Sequence, residues 1–239
     1  MLRLTVLGCH GPYPPAGGGT SCYLVQSETT SIAVDFGSGA LCRLQQVIDL
    51  SQIDAILLTH LHADHACEIP LLDYYAALNR HRFERKIPLY LPKEESPQCQ
   101  VIEQCNSFEI ADLGRTEEFL VGDIAVSPFL MAHPMTDYAL RFACGTSCFT
   151  YSGDTRANDR IAASLEGATH YLCDAAGVRR SYREGGPHIS VTELARIAED
   201  RKVRLLLTHF NGDPAEALAE VQETYSNAEC VREGAVYLL

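Results

Sequence analysis

Thr59-His60-Leu61-His62-Ala63-Asp64-His65 places three imidazoles and one carboxylate in six successive positions, directly after the apolar run Ala55-Ile56-Leu57-Leu58. Imidazole with carboxylate is the donor chemistry of zinc, iron or manganese rather than of calcium or magnesium. Within a strand, successive side chains point to opposite faces, so a strand could not gather these ligands. A loop leaving the strand can turn His60, His62, Asp64 and His65 toward common points. Four ligands this dense are enough to begin two metal pockets.

Five further polar residues share one context, the end of an apolar run. Asp35 comes after Ile32-Ala33-Val34, His133 after Phe129-Leu130-Met131, Asp154 after Phe149-Thr150-Tyr151, Asp174 after Tyr171-Leu172-Cys173, and His209 after Leu205-Leu206-Leu207. Strand ends are where open α/β sheets assemble their sites. Any one of these residues alone reads as a turn or cap; their recurrence beside the His60–His65 run makes them candidate ligands or supports.

The elements that must position them are short strands and amphipathic helices. Leu2–Leu7, Ser21–Gln26 and Ser31–Asp35 read as strands, with Glu28-Thr29-Thr30 as a hairpin turn and Gly8–Thr20 as a glycine- and proline-rich loop. Leu41, Leu44, Val47 and Ile48 follow helical spacing, as do Ile69, Leu72, Tyr75 and Ala76 after the ligand run. Strands are expected at Asp54–Leu58, Ile87–Leu91, Ile124–Met131, Tyr138–Ala143, Ser147–Tyr151, Tyr171–Asp174, Val203–Leu207 and Ala235–Leu239. Helices are expected at Val191–Glu199 and Pro214–Tyr225, and residues 93 to 110 carry no clear pattern. The alternation implies layered α/β architecture with no linker, hence one domain over residues 1–239.

A chain of 239 residues, 46% of them hydrophobic, can bury a large core. Its formal net charge of −12 repels nucleic acid and anionic membranes at long range, so an anionic substrate must be attracted locally, as bound cations would do. The ten cysteines are not spaced as a secreted disulfide framework, and no signal-like segment precedes the first strand; free thiols and a cytoplasmic location are expected. No apolar run approaches the ~20 residues that span a bilayer, so no membrane role is expected.

Taken together, Asp35-Phe36-Gly37-Ser38-Gly39, the His-x-His-x-Asp-His run, His133, Ser152-Gly153-Asp154-Thr155 and Thr208-His209-Phe210 resemble the ordered motifs of the metallo-β-lactamase superfamily. The resemblance covers nearly the whole chain. It implies a four-layer αββα sandwich with a two-metal centre between its sheets. His60, His62 and His133 would hold one ion, Asp64, His65 and His209 the other, and Asp154 would bridge them, while Asp35 would orient a ligand imidazole.

Asp174 with Gly185-Gly186-Pro187-His188-Ile189-Ser190 is similar to the acidic residue and His-x-Ser/Thr segment of the tRNase Z-like branch and its small phosphodiesterase relatives. Cys173-Asp174-Ala175-Ala176 stands where that branch has His-Glu-Ala-Thr. His133 and Asp154 are only 21 positions apart, too few for the long arm with which tRNase Z grips tRNA, so tRNA is not the expected substrate.

The function expected is a metal-dependent hydrolase, a phosphodiesterase in which a bridging metal hydroxide attacks a small phosphodiester or other ester. Two divalent ions are implied, zinc first, with Mn2+ or Fe2+ as alternatives. Asp64 would orient the nucleophile, and His188, kept cationic by Asp174, would protonate the leaving oxygen. Arg179-Arg180-Ser181-Tyr182-Arg183 offers charge that could meet a phosphate. Three other readings stay open: an acyl hydrolase of lactones or thioesters, a non-catalytic metal-binding protein, and an iron oxidoreductase. A homodimer is an admissible assembly.

Overall fold

The computed structural model describes residues 1–115 and 117–239. In the first half of the chain, β1 (Arg3–Gly8), β2 (Cys22–Gln26), β3 (Ser31–Val34), β4 (Ala55–Leu57), β5 (Ile87–Leu91) and β6 (Phe108–Asp112) form one sheet, completed by the C-terminal strand β14 (Val236–Leu238). The second sheet contains β7 (Phe119–Val121), β8 (Ile124–Leu130), β9 (Tyr138–Cys144), β10 (Ser147–Tyr151), β11 (His170–Asp174), β12 (Arg204–Thr208) and β13 (Ala228–Cys230). Both sheets are mixed. Strands β3 to β6 run parallel, as do β10 to β13, and the remaining neighbours are antiparallel.

Period-two alternation explains the layering. Tyr23, Val25, Val34 and Leu57 point inward, where they join Val126, Leu140, Phe142, Phe149, Tyr151, Leu172 and Leu206 in a core between the sheets. Leu24, Ala33, Ile56 and Leu89 point the other way and pack against helices α1 (Ala40–Val47), α3 (Ile69–Leu78) and α4 (Pro97–Glu103). Beyond the second sheet lie α6 (Val191–Arg201) and α7 (Pro214–Gln222), whose buried faces carry Val191, Leu194, Ala195 and Ala198, and Ala217 and Val221. The single turn α2 (Ala63–Ala66) and the short α5 (Arg160–Ser164) complete an αββα arrangement.

Most expected elements are present, some with their ends trimmed and others, such as β9, β11 and α6, extended by a residue or two. Residues 93 to 110 resolve into α4 and β6, while β7, β13 and α5 are too short to have left a pattern. Ser190 occupies the N-cap of α6, but its hydroxyl makes no cap hydrogen bond. The ten cysteines are all free, and Cys144 and Cys148 flank the β9–β10 turn. No helix among the described residues is long and apolar enough to cross a membrane.

Candidate metal centre

Parallel pairing brings the strand ends to one edge of the sandwich. Asp174 ends β11 in register with Thr208, the last residue of β12, so His209 emerges beside it. From the facing sheet, β4 delivers His60 to His65, with Asp64 and His65 on the single turn α2. Asp35 and His209 both have positive φ, at 55° and 56°, a conformation uncommon for side-chain-bearing residues and often retained at functional sites.

Two groups of donors converge. In the first, His62 Nδ1 lies 3.0 Å from His60 Nε2 and 3.2 Å from His133 Nε2. In the second, His209 Nε2 is 3.1 Å from Asp64 Oδ2, and His65 Nε2 is 3.7 Å from the same oxygen. Asp154 stands between the groups: its Oδ1 is 3.4 Å from His65 Nε2, and its Oδ2 is 3.3 Å from His209 Nε2 and 3.9 Å from His60 Nε2. All seven residues expected as ligands are thus in one cluster.

Three buried carboxylates back the imidazoles. Asp35 Oδ2 pairs with His65 Nδ1 at 2.7 Å, while Asp35 also accepts from the Thr59 amide and hydroxyl and from Tyr151 Oη across the sandwich. Asp137 Oδ2 faces His60 Nδ1 at 2.8 Å and accepts from the Asp154 amide. Asp174 places Oδ2 2.7 Å from His188 Nδ1 and Oδ1 3.5 Å from His209 Nδ1. Such partners fix imidazole tautomer and aim the opposite nitrogen at a metal.

Electrostatics separates the groups. Burial, with the neighbouring His65, pulls His60 down to about 3, and burial likewise takes His133 to about 4, so both are neutral. Burial also opposes charge on His65 and His209, but Asp154 and the backing carboxylates outweigh it, raising His65 well above its usual range and His209 to about 10. Asp154 is held low despite burial by His209 and His65. Asp137 goes the other way, raised by burial and by Asp154.

These residues fit divalent cations. His65 Nε2 and Asp154 Oδ1 are buried without a hydrogen-bond partner, which is costly unless something is bound there. Three imidazole nitrogens turned on one another in the first group cannot all be satisfied by mutual hydrogen bonds, whereas one cation accepts all three lone pairs.

A sequence model of the anti-Pycsar protein Apyc1 matches residues 18–237. The chain belongs to the Apyc1 family. An uncharacterised protein of Mycobacterium leprae is 35% identical over 226 residues, which cover 87% of this chain and 78% of that relative. The probable metallo-hydrolase YhfI of Bacillus subtilis is 26% identical over 212 residues, 87% of either chain. The crystal structure of YhfI, a metallo-β-lactamase fold protein, matches with a TM-score of 0.92 over 99% of this chain and 98% of its own. A diphosphatase of the PhnP family shares the fold at TM-score 0.75 and 18% identity, covering 99% and 96%. Human short-form tRNase Z does so at 0.69 and 18%, covering 99% and 98%. This Apyc1-family chain therefore has the metallo-β-lactamase fold of metal-dependent hydrolases.

In this family member the interval between His133 and Asp154 is filled by the β9–β10 hairpin. His188 lies beside both donor groups, its ring 6.0 Å from that of His133 and 5.3 Å from that of His209. Burial opposes its protonation, but Asp174 prevails and raises it. Of the Arg179–Arg183 run, Arg179 pairs with Glu223 and Arg180 with Glu216, both on or next to α7. Asp137 was not anticipated. No apolar run precedes it; its one signal is the apolar strand that follows, whose first amide, Tyr138 N–H, donates to Thr59 O at 3.0 Å and ties it to the ligand loop.

Proposed function

We propose that this chain is a metal-dependent phosphodiesterase acting on small phosphate diesters. The observation that carries this reading is the Asp174–His188 pair at 2.7 Å, set beside both donor groups. An alkoxide leaving phosphorus is strongly basic and needs a proton as the bond breaks, and a carboxylate-backed imidazole supplies one. A thiolate leaving a thioester does not need it.

His60, His62 and His133 would hold one ion, and Asp64, His65 and His209 the other, with Asp154 shared. Imidazole and carboxylate donors favour zinc. When bound, the two ions supply Lewis acidity toward a phosphoryl oxygen and a water that is nucleophilic at neutral pH. Asp64 and Asp154 orient the attacking water. Asp35 and Asp137 keep the His65 and His60 rings aimed at the centre. Asp174 holds His188 in the tautomer and charge state that lets it donate to the leaving oxygen, and through Oδ1 it steadies His209 as well.

Hydrolysis of bis(p-nitrophenyl) phosphate by zinc-loaded protein, measured beside a panel of thioesters and lactones, tests this. Diester turnover that a chelator abolishes is expected. Rapid thioester or lactone turnover without diester cleavage would move the chain to the acyl hydrolases, and no turnover of any of them would favour a metal-binding role.

A further inference from the structure

The second donor group is assembled from both halves of the sandwich. Asp64 and His65 come from the run after β4 in one sheet, whereas His209 follows β12 and Asp154 follows β10 in the other. The rings of His65 and His209 are 5.2 Å apart. That spacing depends on how the two sheets are held against each other, because a close-packed interior transmits such a constraint.

Two tyrosines cross the gap in opposite directions. Tyr151, the last residue of β10, reaches from the second sheet to Asp35 after β3, and its Oη donates to Asp35 Oδ2 at 2.8 Å. That oxygen is the one 2.7 Å from His65 Nδ1. Tyr23, on β2 of the first sheet, reaches the other way, placing its Oη 2.6 Å from Thr208 Oγ1 at the end of β12, one residue before His209. The two rings lie 4.9 Å apart at 59°, and both residues are buried. Burial raises both phenols well above their usual range, so both hydroxyls keep a proton to share. A phenylalanine ring would fill the same space, so what the hydroxyls add is the link. The first group is backed by other partners: Asp137 Oδ2 lies 2.8 Å from His60 Nδ1, and Pro187 O lies 3.3 Å from His133 Nδ1.

We propose that Tyr151 and Tyr23 are positioning residues for the second ion, crossed struts whose hydroxyls hold His65 and His209 at the spacing that ion requires and so set its affinity. Tyr151 acts through Asp35, fixing the carboxylate that aims His65; Tyr23 acts through Thr208, fixing the strand end from which His209 emerges. Their role rests on the two-ion part of the function proposed above and is independent of which ester is cleaved.

Stepwise zinc affinities of wild type, Tyr151→Phe and Tyr23→Phe, read by competition with a chromophoric chelator, test it without turnover. Each variant should hold one ion about tenfold more weakly, the low end of the range for outer partners of ligand imidazoles, and the other as wild type does. The weakened ion should be the one that Asp35→Asn also weakens. With cobalt(II) in place of zinc, the visible absorption of that same ion should change in both variants. Phe142→Leu, in the same core between the sheets, should lower the melting temperature without separating the two affinities. Equal weakening of both ions in the tyrosine variants, or no weakening, overturns the proposal, as does a wild type that binds fewer than two ions. Selective weakening in a protein that cleaves no diester would remove the phosphodiesterase reading and leave the struts standing.

Discussion

Around His60 and His133, burial dominates: His60 is drawn down to about 3 and His133 to about 4, and their lone pairs are open at neutral pH. Around His65 and His209, carboxylates dominate: Asp35, Asp64, Asp154 and Asp174 hold both imidazoles protonated, His209 up to about 10. The same residue type is tuned in opposite directions within one cluster, because one group gathers neutral rings and the other gathers negative charge. The first is ready for a cation as it stands. The second must exchange protons for one, so its affinity should rise with pH more steeply.

Removing the residue the groups share breaks the comparison most severely. Asp154→Ala should lose both ions and all metal-dependent turnover, whereas His133→Ala should empty only the first group; elemental analysis of dialysed protein distinguishes two, one and no zinc per chain. Loss of both ions in His133→Ala would show that the groups are not separable.

The backing carboxylates sharpen it next. Asp137→Asn should weaken the first ion, and Asp35→Asn the second, each by roughly 10- to 100-fold, as for other partners of ligand imidazoles. Competition with a chromophoric chelator reads both constants. Asp35→Asn should also lower thermal stability, since Asp35 accepts from Tyr151 Oη at 2.8 Å and so joins the two sheets.

The smallest effect lies in the metal-free protein. His60 and His133 are depressed below the unfolded value of about 6.5, so their contribution to stability is lost as pH falls from there toward 3 to 4. His209 is raised, so its contribution is complete below about 6.5 and lost as pH rises toward about 10. Melting temperature without metal should fall on both sides, and zinc should flatten the alkaline limb. A metal-free protein equally stable at pH 9 and pH 6.5 would contradict the charge state assigned to the second group.

Within each donor group the sequence reveals the ligands unevenly. His60, His62, Asp64 and His65 occupy one run of six residues, so their chemistry is visible without any fold. His133, Asp154 and His209 are single residues after apolar runs, and only parallel registry, such as Asp174 opposite Thr208, makes them neighbours. Asp137 was illegible because what matters is a tertiary contact, the pairing of Tyr138 with Thr59, and nothing local encodes it. Short elements failed for another reason: three-residue strands such as β7 and β13 span too few residues for periodicity to register. Composition likewise does not show that α7 presents Glu216 and Glu223 to the Arg179–Arg183 run.

The central claim, that His188 delivers a proton to a leaving oxygen at a two-metal centre, is tested most directly by the leaving-group dependence of His188→Ala. Turnover of an alkyl phosphodiester should drop by on the order of 10²–10⁴ with zinc content intact. Cleavage of bis(p-nitrophenyl) phosphate, whose weakly basic leaving group needs no proton, should drop far less. Equal losses on both substrates, or no loss on either, would contradict it.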